Sequence, residues 1–201
     1  MKATDILHSG KLYDPNNGEI LKEQAKRLKK LRSFNKVFNI GKRTKMLKDM
    51  FDEFGEGCYI EPPFYANWAG KHIRFGKNVY ANFNLTCVDD TYITVGDYTM
   101  IGPNVTITTA AHPVLPSLRE KAYQYNAPVN IGRNCWLGAG VTVLAGVTIG
   151  DNTVVGAGSV VNKDLPANVV AVGVPCKVLR EIGEKDKIYY FKDNKIDEDL
   201  I

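Results

Sequence analysis

An aliphatic residue at every sixth position predicts a parallel β-helix for most of this 201-residue chain. Three observations carry the prediction. Residues 131–160 divide into IGRNCW, LGAGVT, VLAGVT, IGDNTV and VGAGSV, headed by Ile131, Leu137, Val143, Ile149 and Val155, with Val161 next in phase. Glycine follows the aliphatic residue at Gly132, Gly138, Gly150 and Gly156, and the same phase recurs upstream at Val95, Ile101 and Ile107. Neither the 3.6 period of a helix nor the period of 2 of an ordinary strand produces this spacing. Short strands joined by tight corners do produce it: each aliphatic residue points to the axis, and a corner rich in glycine or asparagine suits positive φ. Stacked coils then bury a continuous apolar column.

The elements follow in chain order. Residues 18–34 read as an amphipathic helix with Ile20, Leu21, Leu28, Leu31 and Phe34 on one face, and 42–54 as a second with Met46, Leu47, Met50, Phe51 and Phe54. Pro62-Pro63 disfavours helix over 60–64 and suggests an extended lead into the coil. A degenerate version of the repeat passes through Phe75-Gly76, Ala81, Cys87 and Ile93, and the step from Ile93 to Val95 marks a change of phase. Between Ile107 and Ile131 the repeat fails, and Pro113, Pro116 and Pro128 fall in that stretch, so a loop is expected at 108–130. A helical segment at 184–192 and the N-terminal helices are the expected caps. The division is then a helical segment over 1–57, the β-helix over 58–180 and a C-terminal cap over 181–201.

Composition narrows the function. Hydrophobic residues at 44% and charged residues at 24% fit a soluble globular protein. No apolar run is long enough to span a bilayer, and no signal peptide is evident, so a cytoplasmic protein without a membrane partner is expected. The net charge of +4 is uneven: residues 1–50 hold 13 of the Lys and Arg against 5 of the Asp and Glu. The cluster Lys26, Arg27, Lys29, Lys30 and Arg32 lies in a helical pattern without any nucleic-acid-binding signature, so a solvated face is the reading and no nucleic-acid partner is expected. Cys58, Cys87, Cys135 and Cys176 form no CxxC pair, and His8, His72 and His112 are far apart in sequence, so no metal site is expected.

Among the histidines, His8 lies near the terminus and His72 reads as a corner contact. His112 stands where the coil gives way to the loop, beside Pro113. Loops on rigid scaffolds carry function disproportionately, and a neutral imidazole there suits abstraction of a hydroxyl proton. The stretch Tyr80 to Asp90 (YANFNLTCVDD) gathers amides and carboxylates on successive corners; Asp89 and Asp90 read equally as corner residues or as acceptors for a polyhydroxylated substrate. No GxSxG, Walker loop or dinucleotide fingerprint is present, which leaves direct attack by an acceptor hydroxyl as the simplest chemistry.

These motifs, with Glu61-Pro62-Pro63-Phe64-Tyr65, Gly102 to Ile107, His112-Pro113-Val114 and Val172 to Lys177, resemble the sugar O-acetyltransferases of the hexapeptide-repeat group, the galactoside and maltose enzymes in particular. The resemblance implies a left-handed β-helix and transfer of an acetyl group from acetyl-CoA to a sugar hydroxyl, the 6-hydroxyl first. It also implies a homotrimer with active sites between subunits. Carried to matching positions, it implies His112 as general base and Asn82, Asp90 and Tyr80 at the acceptor, with Asn17 in the region that departs from the family pattern. It further implies Trp136, Ala139 and Ala157 along the pantetheine arm, and Asn162, Lys163, Lys177 and Arg180 near the adenine and phosphates. An acetyltransferase for a non-sugar hydroxyl and a non-catalytic trimeric scaffold are the alternatives.

Overall fold

The computed structural model describes residues 3–200 and is a parallel β-helix of about six turns with an N-terminal helical layer. Three parallel faces make a triangular coil. The first face holds β1 (Glu53–Phe54), β4 (Ile73–Phe75), β7 (Ile93–Val95), β12 (Val129–Ile131) and β15 (Thr148–Ile149). The second holds β2 (Tyr59–Ile60), β5 (Tyr80–Ala81), β8 (Met100–Ile101), β13 (Trp136–Leu137), β16 (Val154–Val155) and β18 (Val169–Val172), closed by β19 (Lys177–Glu181). The third holds β3 (Phe64–Ala66), β6 (Leu85–Val88), β9 (Thr106–Thr108), β14 (Thr142–Val143) and β17 (Val160–Val161).

Strand register explains the period of six. Ile131 lies beside Ile149, Leu137 beside Val155 and Val143 beside Val161, so three sixes complete one turn. Each column is fully shielded: Ile101, Leu137 and Val155 are 0% exposed, as are Ile107, Val143 and Val161. Burying one such side chain contributes roughly 1.5–3 kcal/mol, and the strands are too short to persist without it. The change of phase at Ile93 is a strand with two inward residues, Ile93 and Val95, preceded by an enlarged corner.

Positive φ falls on corner asparagines, as at Asn104 (59°), Asn134 (53°) and Asn152 (58°), and on corner glycines, as at Gly140 (69°), Gly146 (84°) and Gly158 (70°), as the composition of the corners predicts. The asparagine side chains form ladders between turns, Asn134 Nδ2 donating to Asn152 Oδ1 at 3.1 Å and Asn152 Nδ2 to Asn168 Oδ1 at 2.8 Å. The glycine after each aliphatic residue answers a shortage of space instead. A Cβ on Gly138 would stand 2.6 Å from the backbone nitrogen of Ala157 in the next turn.

Helix α1 (Gly18–Phe34) has the expected bounds; it buries Ile20, Leu31 and Phe34, while Leu21 is exposed. Helix α2 (Ile40–Met50) ends earlier than the expected 54, because Phe51 turns extended and Glu53–Phe54 joins the coil beside Arg74-Phe75. Phe34, Phe51, Phe54, Phe64 and Phe75 interlock at ring-centroid distances of 5.3–6.5 Å and plug the N-terminal end of the coil. Pro62-Pro63 links β2 to β3 within the first turn.

The excursion is ordered. It runs through β10 (Ala110–Ala111), the single turn α3 (Pro116–Arg119) and β11 (Tyr125–Asn126), and β11 pairs antiparallel with β10. At the C-terminus the helix expected over 184–192 is only α4 (Glu184–Ile188), followed by the hairpin of β20 (Tyr189–Phe191) and β21 (Asn194–Lys195). The aromatic run at 189–191 favours strand. This segment lies on the surface and covers little of the coil.

Replacing Gly138 by alanine will force two turns apart. We expect a loss of about 1–3 kcal/mol, read as a lowered Tm in thermal unfolding. An unchanged Tm would show that the close approach of Gly138 to Ala157 does not constrain the coil.

Candidate active site

The repeat is interrupted three times, always at the corner leading from the third face back to the first. In the first turn the corner holds Asn67, Trp68 and His72; in the second, Asp89 and Asp90; in the third it opens into the excursion that bears His112. The interruptions therefore lie one above another.

Asp89 shapes this corner. It is fully buried, and its two oxygens accept from the backbone N–H groups of Trp68 (2.7 Å) and Gly70 (2.9 Å). Burial pushes its carboxyl up to about 7. The His72 Nδ1 lies 2.7 Å from the Asp89 carbonyl oxygen and donates to it, since a carbonyl can only accept. Burial pushes the His72 imidazole down to about 4, so it is neutral. His8, which the sequence leaves near a loose terminus, is anchored: its ring stacks on Tyr92 at 4.5 Å and its Nδ1 meets Thr91 Oγ1 at 2.9 Å.

Asp90 has a different task from its neighbour. Its Oδ2 accepts from Asn67 Nδ2 at 2.9 Å and its Oδ1 from Trp68 Nε1 at 3.2 Å. The two donors hold the carboxylate in place. Asn67 also lines a groove of about 310 Å³ between α1 and the third face, with Leu28, Arg32 and Tyr65. A larger cavity of about 460 Å³ is lined by Trp68 together with His8, His72, Glu19, Glu23 and Tyr92.

His112 follows β10 and is exposed. Its Nδ1 lies 2.8 Å from the carbonyl oxygen of Tyr123. That contact requires Nδ1 to carry a proton, so in the neutral tautomer the lone pair is on Nε2.

The remaining predicted residues divide into separate places. Tyr80 and Trp136 flank Met100 on the outer side of the second face, all three exposed. Tyr80 also stacks on Tyr59 with centroids 6.3 Å apart. From Trp136 the same row continues through Val154 and Val170 to Arg180, about 4.8 Å per step. Lys177 sits on that last strand opposite Val172. Asn82, Ala139 and Ala157 stack on the corner between the second and third faces; the Ala139 carbonyl accepts from Gly158 N–H, and Asn82 Oδ1 accepts from Phe83 N–H. Asn162 and Lys163 are exposed at the other corner, above His112 and Asp90 in the stack. The third face separates the two groups.

Two expected contacts are already engaged. Asn17 is the N-cap of α1, its Oδ1 accepting from Glu19 N–H and Ile20 N–H. Arg180 forms a bidentate pair with Asp186, both contacts at 2.7 Å, which holds the Asp186 carboxyl down at about 2. Asn67, Trp68 and Tyr123 escape the sequence reading. The signal that points to the first two is the phase break, and nothing in the sequence marks a main-chain carbonyl as a partner. Among the described residues, no three His, Cys, Asp or Glu side chains stand together as metal ligands, and no helix is long and apolar enough to cross a membrane.

Turns of three sixes define a parallel β-helix of the hexapeptide-repeat class. The family model for bacterial transferase hexapeptide (six repeats) matches residues 128–163, and that for the maltose acetyltransferase hexapeptide capping motif matches 7–55. The chain is 54% identical to the galactoside O-acetyltransferase of Lactococcus lactis, over 96% of this chain and 94% of that one. It is 48% identical to the galactoside O-acetyltransferase of Escherichia coli, over 98% of each. A galactoside acetyltransferase solved in complex with coenzyme A superposes with a TM-score of 0.94 at 44% identity, covering 98% of this chain and 100% of that one. The chain belongs to the galactoside and maltose O-acetyltransferase family and is an acyltransferase. A superposition of that quality requires the same hand of coil in both molecules.

His72 and Asp89 oppose each other in the pH dependence of stability. With His72 at about 4 in the fold against 6.5, the unfolded chain binds more protons in that window, so His72 lowers stability as pH falls through it. Asp89, raised from 3.8 to about 7, lowers stability as pH rises across nearly the same window. In His72→Gln the Asp89 slope loses the opposing contribution of His72. Urea unfolding between pH 4 and 6.5 is expected to show stability declining more steeply with rising pH than in the unmodified protein, and an identical slope would mean that His72 does not titrate differently in the fold.

Proposed function

We propose that this protein transfers an acetyl group from acetyl-CoA directly to the 6-hydroxyl of a sugar, a galactoside, glucoside or maltose, with His112 as general base. The observation that carries the reading is the 2.8 Å contact of His112 Nδ1 with the Tyr123 carbonyl, which keeps Nε2 free to take a proton. In the proposed reaction the proton moves from the acceptor hydroxyl to Nε2 while the sugar oxygen bonds to the thioester carbon. The carbon–sulfur bond then breaks, and the departing sulfur takes the proton back from the imidazolium. The products are an acetyl ester and the coenzyme thiol. A positioned base of this kind accounts for roughly 10²–10⁴ in rate.

Acetyl-CoA is the cosubstrate in this reading, supported by the coenzyme A bound to the similar galactoside acetyltransferase. Trp136, Ala139 and Ala157 would lie along the pantetheine arm, and Asn162, Lys163 and Lys177 near the nucleotide end. Because the Ala139 carbonyl already bonds within the coil, its N–H is the group left to read the arm. Arg180 would have to exchange Asp186 for a phosphate. Asp90, Asn82 and Tyr80 would receive the sugar, and Asn17 would act only by fixing the start of α1.

The division of these residues between two corners supports a homotrimer with shared sites. One chain cannot wrap a small substrate with groups on both sides of its third face, whereas a neighbouring coil can supply the opposite wall. The exposed apolar row Tyr80, Met100 and Trp136 gives such a neighbour something to cover. Four buried, unpaired cysteines suit a reducing cytoplasm.

Thiol release from acetyl-CoA, measured with galactosides, glucose and maltose as acceptors, is expected for at least one sugar. His112→Ala should lower kcat by roughly 10²-fold or more while coenzyme A binding persists; full activity in that variant would remove His112 from the mechanism. Sedimentation equilibrium is expected to give the mass of three chains, and a monomer active at full rate would refute the shared site.

A further inference from the structure

The proposed base depends on where the Tyr123 carbonyl sits, and Tyr123 belongs to an exposed excursion. What fixes it comes from the other end of the chain. The residue after Tyr123, Gln124, immediately precedes β11 and forms an antiparallel bridge with Tyr13: Tyr13 N–H donates to the Gln124 carbonyl at 2.9 Å, and Gln124 N–H to the Tyr13 carbonyl at 3.0 Å. The Tyr13 hydroxyl is 3.0 Å from Asn126 Nδ2 and also accepts from Gln124 Nε2. Gln124 Nε2 donates to Asn126 Oδ1 at 3.0 Å, and Asn126 Nδ2 donates to the Leu7 carbonyl at 3.0 Å.

All three side chains are buried, with Tyr13 6% exposed, Gln124 9% and Asn126 3%. A polar network enclosed in this way has one satisfied arrangement, because each lost bond would strand a buried donor or acceptor. The Tyr13 ring belongs to a small core of its own with Leu7, Ile20 and Trp68. Trp68 in turn donates to Asp90. The same cluster thus braces the loop that holds His112 and the carboxylate assigned to the acceptor.

We infer that Tyr13 is a positioning residue for His112: through Gln124 and Asn126 it fixes β11 so that the Tyr123 carbonyl holds Nδ1–H and keeps Nε2 available. The inference rests on His112 being the base. Tyr13 touches no reacting atom, and its hydroxyl acts two residues removed from the imidazole.

Tyr13→Phe removes the hydroxyl and retains the ring in its core. The expected result is a fall in kcat on the order of tenfold, the scale of one neutral hydrogen bond, with KM for acetyl-CoA unchanged. Side-chain ¹⁵N NMR of His112 should change from a single Nδ1–H tautomer to a mixture. In a His112→Ala background the Tyr13→Phe change should cost nothing more, because both act through one group. Gln124→Met, which deletes Nε2 at nearly constant volume, should reproduce the kcat and NMR effects if Tyr13→Phe folds poorly. A normal kcat with a single tautomer in Tyr13→Phe would overturn the inference, as would an equal loss with and without His112. Should His112→Ala alone keep full activity, the base assignment fails, and the NMR arm still decides whether Tyr13 sets the imidazole tautomer.

Discussion

Each strand pairs with the strand one turn later, and that stacking constrains everything else in the molecule. Coils about 4.8 Å apart leave room for one residue per column. An inward position must therefore be apolar in every turn, and a corner whose Cβ would meet the next turn's backbone must be glycine. Gly138 against Ala157 shows how little slack exists. Variation is allowed only where the chain can leave the coil and return without disturbing the columns.

This protein leaves at one corner, three turns in succession. The extra residues there do not loosen the scaffold, because Asp89 ties them back through two backbone N–H groups. The buried carboxylate makes the bend, and the bend presents Trp68 and Asn67 to Asp90. One turn further on, the same corner projects the loop of His112. The three enlarged corners thus lie on the one edge where the period fails, and the regular turns above it supply a straight, rigid wall.

That pattern also sets what could be read without coordinates. The columns from Val95 to Val161 were legible because stacking imposes them on the sequence directly. Helix α1 was legible because its apolar face has the right period and Asn17 caps it. The end of α2 was misplaced at 54 because Phe51 and Phe54 serve the same core whether helical or extended. The C-terminal helix was read too long because charged residues before 189 continue into an aromatic strand. Within the site, His112 stood out by position and Asp90 only by the family resemblance, and the separate duties of Asp89 and Asp90 depend on which backbone and side-chain donors face them. The Tyr13 network depends on contacts more than a hundred residues apart in the chain, which no local spacing encodes, and the partner of His112 is a main-chain carbonyl that no side chain marks.

The last coil strand, β18, is met by an antiparallel partner, β19, instead of another parallel turn. A stack of parallel strands that simply stopped would present an open template, onto which another molecule could add its own first strand. Reversal of direction breaks that template, and the outermost strand carries Lys177, Arg180 and Glu181 on a fully exposed ribbon. The aromatic plug formed by Phe34, Phe51 and Phe54 seals the opposite end. Growth of the coil into a fibre is blocked at both ends, which confines association to the sides of the prism.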